Sequence, residues 1–502
     1  MSDEQPISDE SSAALIERIR RLERASRALD PGSGRRKTLR NAVMASSERH
    51  LRKLHGQKGY VAGPDQGAGV LSLPIARAGH DLADVIALYE REVVQPGAHP
   101  SAPSHLAYIP GSSLYHSALA DFLAAISNKY SSIFFSSPGA ARLENMMVRW
   151  VADLVGYPES ALGSIVSGGS IANLTAIVTA RDARDVRSGD VPRAVVYLTT
   201  QTHHCIQKSL RIAGLGEVQL RYVATDARHR MRPDALATLI SEDRARGLLP
   251  WMIVATAGST DVGAVDPLED IGDVAEREGC WYHVDAAYGG FFLLTDEGRR
   301  LLKGIERSHS VVLDPHKSLF MPWGAGVVIV RDGRALMESH GTSGHYMQDA
   351  LRDDSEISPA DLSPELTKPF RGLRMWLPLM LLGTQPFADA LEEKLLLARY
   401  FRGEVAKLGF EVGPAPELSV VTYRWAPQGM PLEETDALNQ RIIEGTHADG
   451  RVFLSSTMLD GRFTLRMVAL SFRTHKRNID MALRVLHEQL VRIGLVERPA
   501  AQ

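Results

Sequence analysis

The chain has only two cysteines in 502 residues, Cys205 and Cys280, which is too few for a disulfide framework or a cysteine-rich metal site. Such scarcity is typical of a reducing compartment, and the N-terminus, MSDEQPISDE, is acidic where a signal peptide would be basic and then apolar. The charge-free stretches 93–120 and 160–180 are interrupted by Ser, Gly, Pro or His, so neither is an apolar membrane helix. We therefore expect a soluble, cytoplasmic protein.

A strong charge of one sign is also missing. The 57 Lys and Arg residues and the 60 Asp and Glu residues give a formal charge of −3. Binding to nucleic acid or to an anionic membrane would need a basic face, which this balance does not favour. We therefore expect neither nucleic acid nor membrane as a partner.

Several chemical motifs are absent. The sequence contains no Gly-x4-Gly-Lys-Ser/Thr phosphate loop and no His-Glu-x-x-His zinc helix. Neither Gly67-Ala-Gly69 nor Gly32-Ser-Gly34 follows a strand pattern, which argues against dinucleotide binding. The pair His203-His204 could suggest a metal, but adjacent residues on a strand point to opposite faces, and no cysteine or carboxylate cluster completes a site. We therefore expect no metal ion.

What is present is a globular composition, 44% hydrophobic and 23% charged, over a length that suggests two or three structural units. Helical patterns at 13–28 and 38–54 predict an N-terminal arm that packs on a main domain or on a partner subunit, with an independent helix-pair interaction module as the alternative. Beyond about residue 383, helix and strand patterns predict a small α+β unit. The predicted domains are a helical arm (1–100), a large domain (101–383) and a C-terminal small domain (384–502).

In the large domain, continuous apolar strands alternate with helices. The predicted strands are 194–198, 251–255, 280–284, 311–313 and 326–330. A helical pattern at 267–278, between the second and third strands, makes a βαβ crossover. Because continuous apolar strands are typical of sheets buried on both faces, we predict an α/β domain built on a mostly parallel sheet.

Two segments of this domain place a polar residue at the end of a buried strand. Asp285 follows strand 280–284 where α/β sheets bind ligands, and a carboxylate there is costly unless it is paired, although it could simply cap the next helix. Lys317 follows strand 311–313 in the same way. Partial desolvation would lower the pKa of this lysine and favour the neutral amine that forms a Schiff base, whereas a solvated lysine is the ordinary alternative.

A third segment is the turn Ser-Gly-Gly-Ser at 167–170, which precedes a helix. The free N–H groups of a helix N-terminus suit a phosphate, although glycine turns before helices are common. The three segments together match the needs of one cofactor, pyridoxal 5'-phosphate (PLP). Its phosphate needs N–H donors, its ring nitrogen needs an anion that keeps it protonated, and its aldehyde needs a lysine. We therefore predict a PLP site.

With these segments in view, the sequence resembles the group II PLP-dependent amino-acid decarboxylases, which include the aromatic-L-amino-acid and glutamate decarboxylases. The similarity runs from about residue 99 to near the C-terminus. It is carried by SGGSIANLTAIVTARDAR (167–184), QTHHCIQKSLRIAG (201–214), ATAGSTDVGAVDPLEDI (255–271), HVDAAYGG (283–290), DPHKSL (314–319) and FRGLRMWLPL (370–379). The resemblance implies a type I, aspartate aminotransferase-like PLP fold and a homodimer with active sites at the subunit interface.

The resemblance also implies roles for individual residues. Lys317 would hold PLP as a Schiff base, Asp285 would pair with the ring nitrogen, and His203 would stack on the ring face. Arg374 matches a basic position of the family, to which we assign a structural role only. The other predicted cofactor contacts are Gly169 and Ser170 at the phosphate, Ser259 as a nearby hydroxyl, Ala287 against the ring and His316 reaching the phosphate.

The implied reaction is decarboxylation of an L-amino acid to the amine and CO2, which needs an acid to return a proton to the α-carbon. In the animal enzymes this acid is a loop tyrosine, but the comparable stretch 357–364 has none, so Tyr346 is the candidate. Without an acid, oxygen could intercept the decarboxylated intermediate, as in the related aldehyde synthases; lyase, transaminase and catalytically silent scaffold remain further alternatives. Asp314 replaces a common family Asn, and we expect it to face a backbone amide or a base.

The substrate side chain is less well determined. The segment 108–114 (YIPGSSL) matches the region that holds it, and 130–135 would come from the partner subunit. Phe134 and Phe135 favour an aromatic or large apolar substrate, unless both belong to the core. These segments contain no arginine for a distal carboxylate, which argues against glutamate.

Overall fold

The structure, a computed structural model, describes residues 11–63, 66–109, 111–341 and 356–497. The chain forms two compact units: residues up to Gly56 together with Gly63–Gly97, and Gln57–Ala62 together with residues from Ala98 onward. Tyr346 falls outside the described residues, so its role stays a prediction. No described helix is long and apolar enough to cross a membrane.

The first unit consists mainly of three helices, α1 (Ser12–Ser26), α2 (Ser33–Lys53) and α3 (Leu82–Tyr89). The hydroxyl of Ser11 caps α1 by accepting the backbone N–H of Ala14. None of the α1 residues is buried within the chain, including the apolar Ile19, which is 54% exposed. The two N-terminal helices expected from the sequence are thus confirmed, with α2 beginning earlier than its apolar pattern.

The second unit is built on a seven-stranded sheet. Its strands are β1 (Leu162–Val166), β2 (Ala194–Leu198), β3 (Gln219–Tyr222), β4 (Leu249–Thr256), β5 (Trp281–Asp285), β6 (Ser310–Leu313) and β7 (Gly326–Val330), in the order β1-β7-β6-β5-β4-β2-β3. Neighbours from β6 to β3 are parallel, whereas β7 is antiparallel to both β6 and β1. The turn between β6 and β7 holds only the short lysine segment, too little chain for a helical crossover. The mostly parallel sheet predicted from the sequence is confirmed.

Helices cover this sheet, which explains its apolar strands. They are α4 (Tyr115–Ser127), α5 (Pro138–Val155), α6 (Gly169–Ala183), α7 (Cys205–Ile212), α8 (Pro233–Ala245), α9 (Leu268–Glu278), α10 (Asp296–Leu301), α11 (Pro315–Ser318), α12 (Gly333–His340) and α13 (Gly372–Leu382). The strands β4, β5 and β6 end side by side, and α6 and α11 begin at the same edge of the sheet. This edge positions the candidate site.

The C-terminal part contains a second, antiparallel sheet. It combines α14 (Gln385–Lys407), α15 (Leu432–Asp449) and α16 (Lys476–Arg492) with β8 (Glu411–Val412), β9 (Val420–Arg424), β10 (Ser455–Leu459) and β11 (Arg462–Val468), in the order β8-β9-β11-β10. Asp460 and Gly461 join β10 to β11 with φ of 50° and 72°, the left-handed pair that a two-residue hairpin needs. The α+β character expected here is confirmed, and the boundary at 383/384 stays a proposal.

Candidate active site

A cavity of about 370 Å³ opens at the carboxyl edge of β4, β5 and β6. This is where the crevice of an open α/β sheet places ligands. The predicted residues on its wall are Lys317, Asp285, His203, Gly169, Ser170, Ala287 and His316. The sheet and the N-termini of α6 and α11 thus bring together seven residues that were predicted from widely separated segments of the sequence.

Lys317 lies on α11, and its Nζ is 3.1 Å from Oδ2 of Asp314. Asp314 is 2% exposed, and its other oxygen, Oδ1, accepts no hydrogen bond from the part of the chain that the structure describes. Burial lowers the pKa of Lys317, but the charges of Asp314 and Asp285 more than offset this, so its pKa lies above the ordinary value. The expectation that desolvation favours a neutral amine is therefore wrong, because the two carboxylates outweigh burial.

The expectation that Asp314 faces a base is confirmed, because Nε2 of His316 also lies 3.6 Å from Oδ2. A Cβ on Gly169 or on Gly326 would come within 2.8 Å of an Asp314 oxygen. Both glycines therefore let the buried carboxylate lie directly against the backbone beside the lysine. The position that commonly holds Asn in the family is here the counterion of Lys317.

Asp314→Asn is expected to lower the pKa of Lys317, because it removes the nearest negative charge and leaves the burial that disfavours the ammonium. Only the unprotonated amine reacts with an aldehyde, so the apoenzyme should capture PLP at lower pH than the unaltered protein. The rate of capture is followed by absorbance at a series of pH values, and the midpoint pH of this rate profile measures the shift. Asp332→Asn, which removes an exposed carboxylate paired with Arg334, is the control and should leave the midpoint unchanged. An unchanged or higher midpoint in Asp314→Asn would contradict the assignment.

Asp285 ends β5 and is 6% exposed. Its Oδ2 accepts a hydrogen bond of 3.2 Å from Nδ2 of Asn173 on α6, and its Oδ1 accepts one of 3.1 Å from the backbone N–H of Ala287. It does not cap a following α-helix, so the capping alternative is wrong. The carboxylate is held by two neutral donors on the protein side while it lines the cavity.

His203 lies on the loop after β2, and its Nδ1 accepts the backbone N–H of Cys205 at 3.3 Å. Burial lowers the pKa of His203, and the proximity of Asp285 only partly opposes this. The ring centroids of His203 and His204 are 4.1 Å apart. These histidines therefore lie on a loop with their rings in contact, and the argument that they point to opposite faces of a strand is wrong. A neutral, flat ring at the cavity wall suits stacking on a cofactor ring.

The turn before α6 has the shape of an anion cradle. Gly168 has φ of 154°, which brings the backbone round into the helix, and a Cβ at this position would lie 3.2 Å from Cε1 of His316. The backbone N–H groups of Ile171 and Ala172 donate to the carbonyl of Gly168, whereas those of Gly169 and Ser170 have no acceptor among the described residues and can bind an anion; Ser170 also lines the cavity. His316 is held over the turn by Nδ1, which hydrogen-bonds the carbonyl of Ala325.

Ser259 does not line the cavity. Its hydroxyl accepts the backbone N–H of Ala264 at 3.1 Å and closes its own loop, so the structure does not support the predicted cofactor contact. The hydroxyl residues of this segment on the cavity wall are Thr256 and Thr260. Thr256 ends β4 beside Asp285, and its Oγ1 is buried without a hydrogen-bond partner among the described residues. The structure therefore places Thr256 and Thr260 of this segment on the cavity wall, and not Ser259.

Residues that the sequence analysis missed include Asn173, Thr256 and Gln201, all on the cavity wall. An asparagine inside the apolar helix pattern of α6 is the signal that could have identified Asn173, which is fully buried. Arg374 has the structural role expected of it, because it joins Asp121 on α4 to the carbonyl of Trp323.

The cavity residues fit PLP. The glycine turn offers N–H groups for the phosphate, Asp285 offers the anion for the ring nitrogen, and Lys317 offers the amine. Two polar atoms of the same wall, Oδ1 of Asp314 and Oγ1 of Thr256, have no hydrogen-bond partner within the described part of the chain. Buried polar atoms of this kind are expected where a ligand completes the hydrogen bonding.

Residues 71–426 match the family model described as the pyridoxal-dependent decarboxylase conserved domain. The chain belongs to this family. This decarboxylase is 32% identical to an aromatic-L-amino-acid decarboxylase of Bacillus atrophaeus, over 84% of its own chain and 88% of the relative. It is 28% identical to a phenylacetaldehyde synthase of Arabidopsis thaliana, over 80% and 84% respectively.

Solved structures give the same fold for this decarboxylase. The structure of Oryza sativa TDC with PLP and tryptamine superposes with a TM-score of 0.87 at 24% identity, over 92% of this chain and 99% of that one. Mouse CSAD superposes with a TM-score of 0.84 at 25% identity, over 91% of this chain and 99% of that one. The type I PLP fold is confirmed, and the protein is a PLP-dependent amino-acid decarboxylase with PLP as its cofactor.

Proposed function

We propose that this enzyme decarboxylates an aromatic L-amino acid, releasing CO2 and leaving a proton on the α-carbon of the resulting amine. The cavity wall supports this assignment most directly: apart from Lys317, no lysine or arginine among the described residues lines it. A distal carboxylate such as that of glutamate would be left without a cation, at a high desolvation cost. Relatives named as aromatic-amino-acid and tryptophan decarboxylases point the same way.

The segment expected to hold the side chain supports an aromatic substrate as well. A Cβ on Gly111 would meet the carbonyl of His316 at 1.8 Å, so this segment lies directly against the lysine helix α11. Tyr108, three residues earlier, is 57% exposed and has φ of 57°, with its ring 5.7 Å from that of Phe453. Tyr108 therefore presents an exposed aromatic ring in the segment that the resemblance assigns to the substrate side chain, and such a ring suits contact with an aromatic side chain. In the segment 130–135, Phe134 is buried and Phe135 is 54% exposed. Of these two phenylalanines, Phe135 is therefore the one that can contact the site of a partner subunit.

In this function, PLP supplies the conjugated ring that accepts the electron pair of the broken carbon–carbon bond. Lys317 would hold the cofactor through Nζ, and Asp285 would keep the proton on the ring nitrogen, which would stabilise charge without transferring the proton. His203 and Ala287 would contact the ring, and the turn at 168–170 would bind the phosphate. Tyr346 stays the candidate for the acid that protonates the α-carbon.

A panel of L-amino acids tests the substrate assignment. We expect CO2 release from tryptophan, tyrosine or phenylalanine with a kcat/KM at least ~100-fold above that for glutamate, because an unpaired charge is rejected strongly by a site without a cation. Equal moles of amine should accompany the CO2. Preference for glutamate or another acidic substrate would contradict the proposal.

Aldehyde synthesis is the second candidate, because the described segment 356–364 contains no tyrosine and two similar relatives are named phenylacetaldehyde synthases. That reaction consumes one O2 and one water per amino acid and gives aldehyde, CO2, ammonia and H2O2. An oxygen electrode and a peroxide assay on the same samples distinguish the two. If Tyr346 is the acid, Tyr346→Phe should move product from amine towards aldehyde.

We infer that the enzyme works as a homodimer. Leu119, Phe122, Leu123 and Ile126 form an apolar stripe on α4 and are 37%, 49%, 51% and 72% exposed. Met380, at 62% exposure, lies on α13, which packs against α4. Exposed apolar residues that share one helix face are typical of a subunit interface.

Light scattering should therefore give twice the mass of one chain. Phe122→Asp should shift this mass towards that of one chain, because a buried charge would destabilise the interface. Leu432→Asp alters an exposed leucine outside the stripe and should change nothing. The unaltered protein behaving as a single chain at micromolar concentration would contradict the assignment.

A further inference from the structure

Behind Asp285, a chain of buried polar side chains crosses from the sheet to α6. Asn173, His283 and Ser310 are all fully buried, yet none of them has a role in the proposed chemistry. His283 Nε2 lies 2.7 Å from Oδ1 of Asn173, and His283 Nδ1 lies 2.8 Å from Oγ of Ser310. Beyond Ser310, Nε1 of Trp281 donates to the same Oγ at 2.9 Å.

The pleat of the sheet explains why these groups meet. Trp281, His283 and Asp285 occupy alternate positions of β5, so their side chains share one face, and Ser310 is the partner of His283 on β6. Asn173 approaches the same face from α6. An otherwise apolar strand thus presents an indole, an imidazole and a carboxylate in register, with the carboxylate at the cavity end.

The chemistry of each group fixes the direction of every hydrogen bond. A carboxylate only accepts, so Asn173 turns its Nδ2 donor towards Asp285 and its Oδ1 towards His283. His283 must then donate through Nε2–H. Burial lowers the pKa of His283 to about 4, so the ring is neutral and its Nδ1 accepts the hydroxyl proton of Ser310. All donors point towards Asp285, from Trp281 to Ser310 to His283 to Asn173.

We propose that Asn173, His283 and Ser310 are positioning residues that orient Asp285 and stabilise its negative charge at the cofactor's ring nitrogen. Aligned dipoles strengthen one another in a buried chain, and the last donor meets Oδ2 of the carboxylate. The backbone N–H of Ala287 holds Oδ1, so the carboxylate cannot rotate away from the cavity. The inference rests on the proposed pairing of Asp285 with the ring nitrogen.

The test measures cofactor binding to the apoenzyme rather than activity. PLP and 1-deazapyridoxal phosphate differ only in the ring nitrogen. The Kd of the deaza analogue divided by the Kd of PLP therefore reports the interaction of Asp285 with that nitrogen. Asn173→Ala should reduce this ratio by about tenfold, since a hydrogen bond to a charged group is lost. His283→Leu should give a smaller reduction, because Asn173 keeps its donor but loses its orientation.

Two variants serve as controls. His283→Gln places an amide N–H where Nε2–H was and should restore the ratio that His283→Leu loses. Thr175 is buried on the same helix, and its hydroxyl donates to the carbonyl of Ile171. Thr175→Val therefore removes a buried hydroxyl of α6 that takes no part in the chain of hydrogen bonds. It should lower thermal stability at most and leave the ratio unchanged.

The outcomes separate this inference from the function on which it rests. If Asp285→Asn leaves the ratio unchanged, the proposed role of Asp285 itself fails. If Asp285→Asn reduces the ratio while Asn173→Ala does not, Asp285 keeps its role and the positioning inference is overturned. If Asn173→Ala does not fold, the comparison of His283→Leu with His283→Gln decides the question. Equal Kd ratios in these two variants overturn the inference, and a lower ratio in the leucine variant supports it.

Discussion

Replacing Lys317 with alanine is expected to abolish decarboxylation and the absorbance at about 420 nm that a lysine-bound PLP gives. Nζ of Lys317 is the amine on the cavity wall, beside Asp314 and within the field of Asp285. Without it, PLP can bind only through the phosphate turn and Asp285. Absorbance spectra of the protein reconstituted with PLP, recorded with the release of CO2, measure both losses.

Loss of folding must be separated from loss of the amine. Lys317→Ala leaves Asp314 buried without its nearest cation, which destabilises a protein. The double variant with Asp314→Asn removes both charges and should regain thermal stability without regaining the absorbance. Lys303→Ala, at an exposed pair with Glu269, should behave as the unaltered enzyme. Absorbance retained in Lys317→Ala would show that another amine holds the cofactor.

The sequence predicted the central strands well because burial on both faces makes them continuously apolar. β2 and β7 were predicted with their observed ends, at 194–198 and 326–330. β3 was missed because Gln219–Tyr222 is an edge strand that is partly exposed, so its residues are not continuously apolar. β1 was missed because Gly163 and Ser164 interrupt its apolar run and favour a turn.

The site could be predicted only as far as local motifs reach. Lys317 and Asp285 were found because each follows a buried strand, and strand ends of a parallel sheet meet at one edge. The pairing of Lys317 with Asp314 and the field of Asp285 reversed the expected pKa shift, since the sum of charges depends on distances that the sequence does not give. Similarly, Asn173 and His283 meet across 110 residues, which no local pattern predicts.

Asp285→Asn is expected to lower kcat by about 10²–10³-fold while PLP still binds, because the ring nitrogen loses the anion that keeps it protonated. The change preserves the side-chain volume but replaces one oxygen with a donor. Asn173 and Ala287 each donate to a different oxygen of Asp285, so the amide can satisfy only one of them. Single-turnover measurements at saturating substrate, with the PLP content determined separately, isolate this effect on the chemical step.

Asp243→Asn provides the matched control for this large effect. Asp243 is a buried carboxylate as well, 1% exposed, but it bonds Arg221 and the hydroxyl of Tyr197 away from the cavity wall. Its conversion to asparagine should lower the melting temperature because a buried ion pair is broken, and it should leave kcat unchanged. Full activity in Asp285→Asn would contradict the electronic role. A loss of kcat as large in Asp243→Asn would mean that any buried carboxylate lost from this domain disturbs the site, and that the position of Asp285 at the end of β5 is not what catalysis depends on.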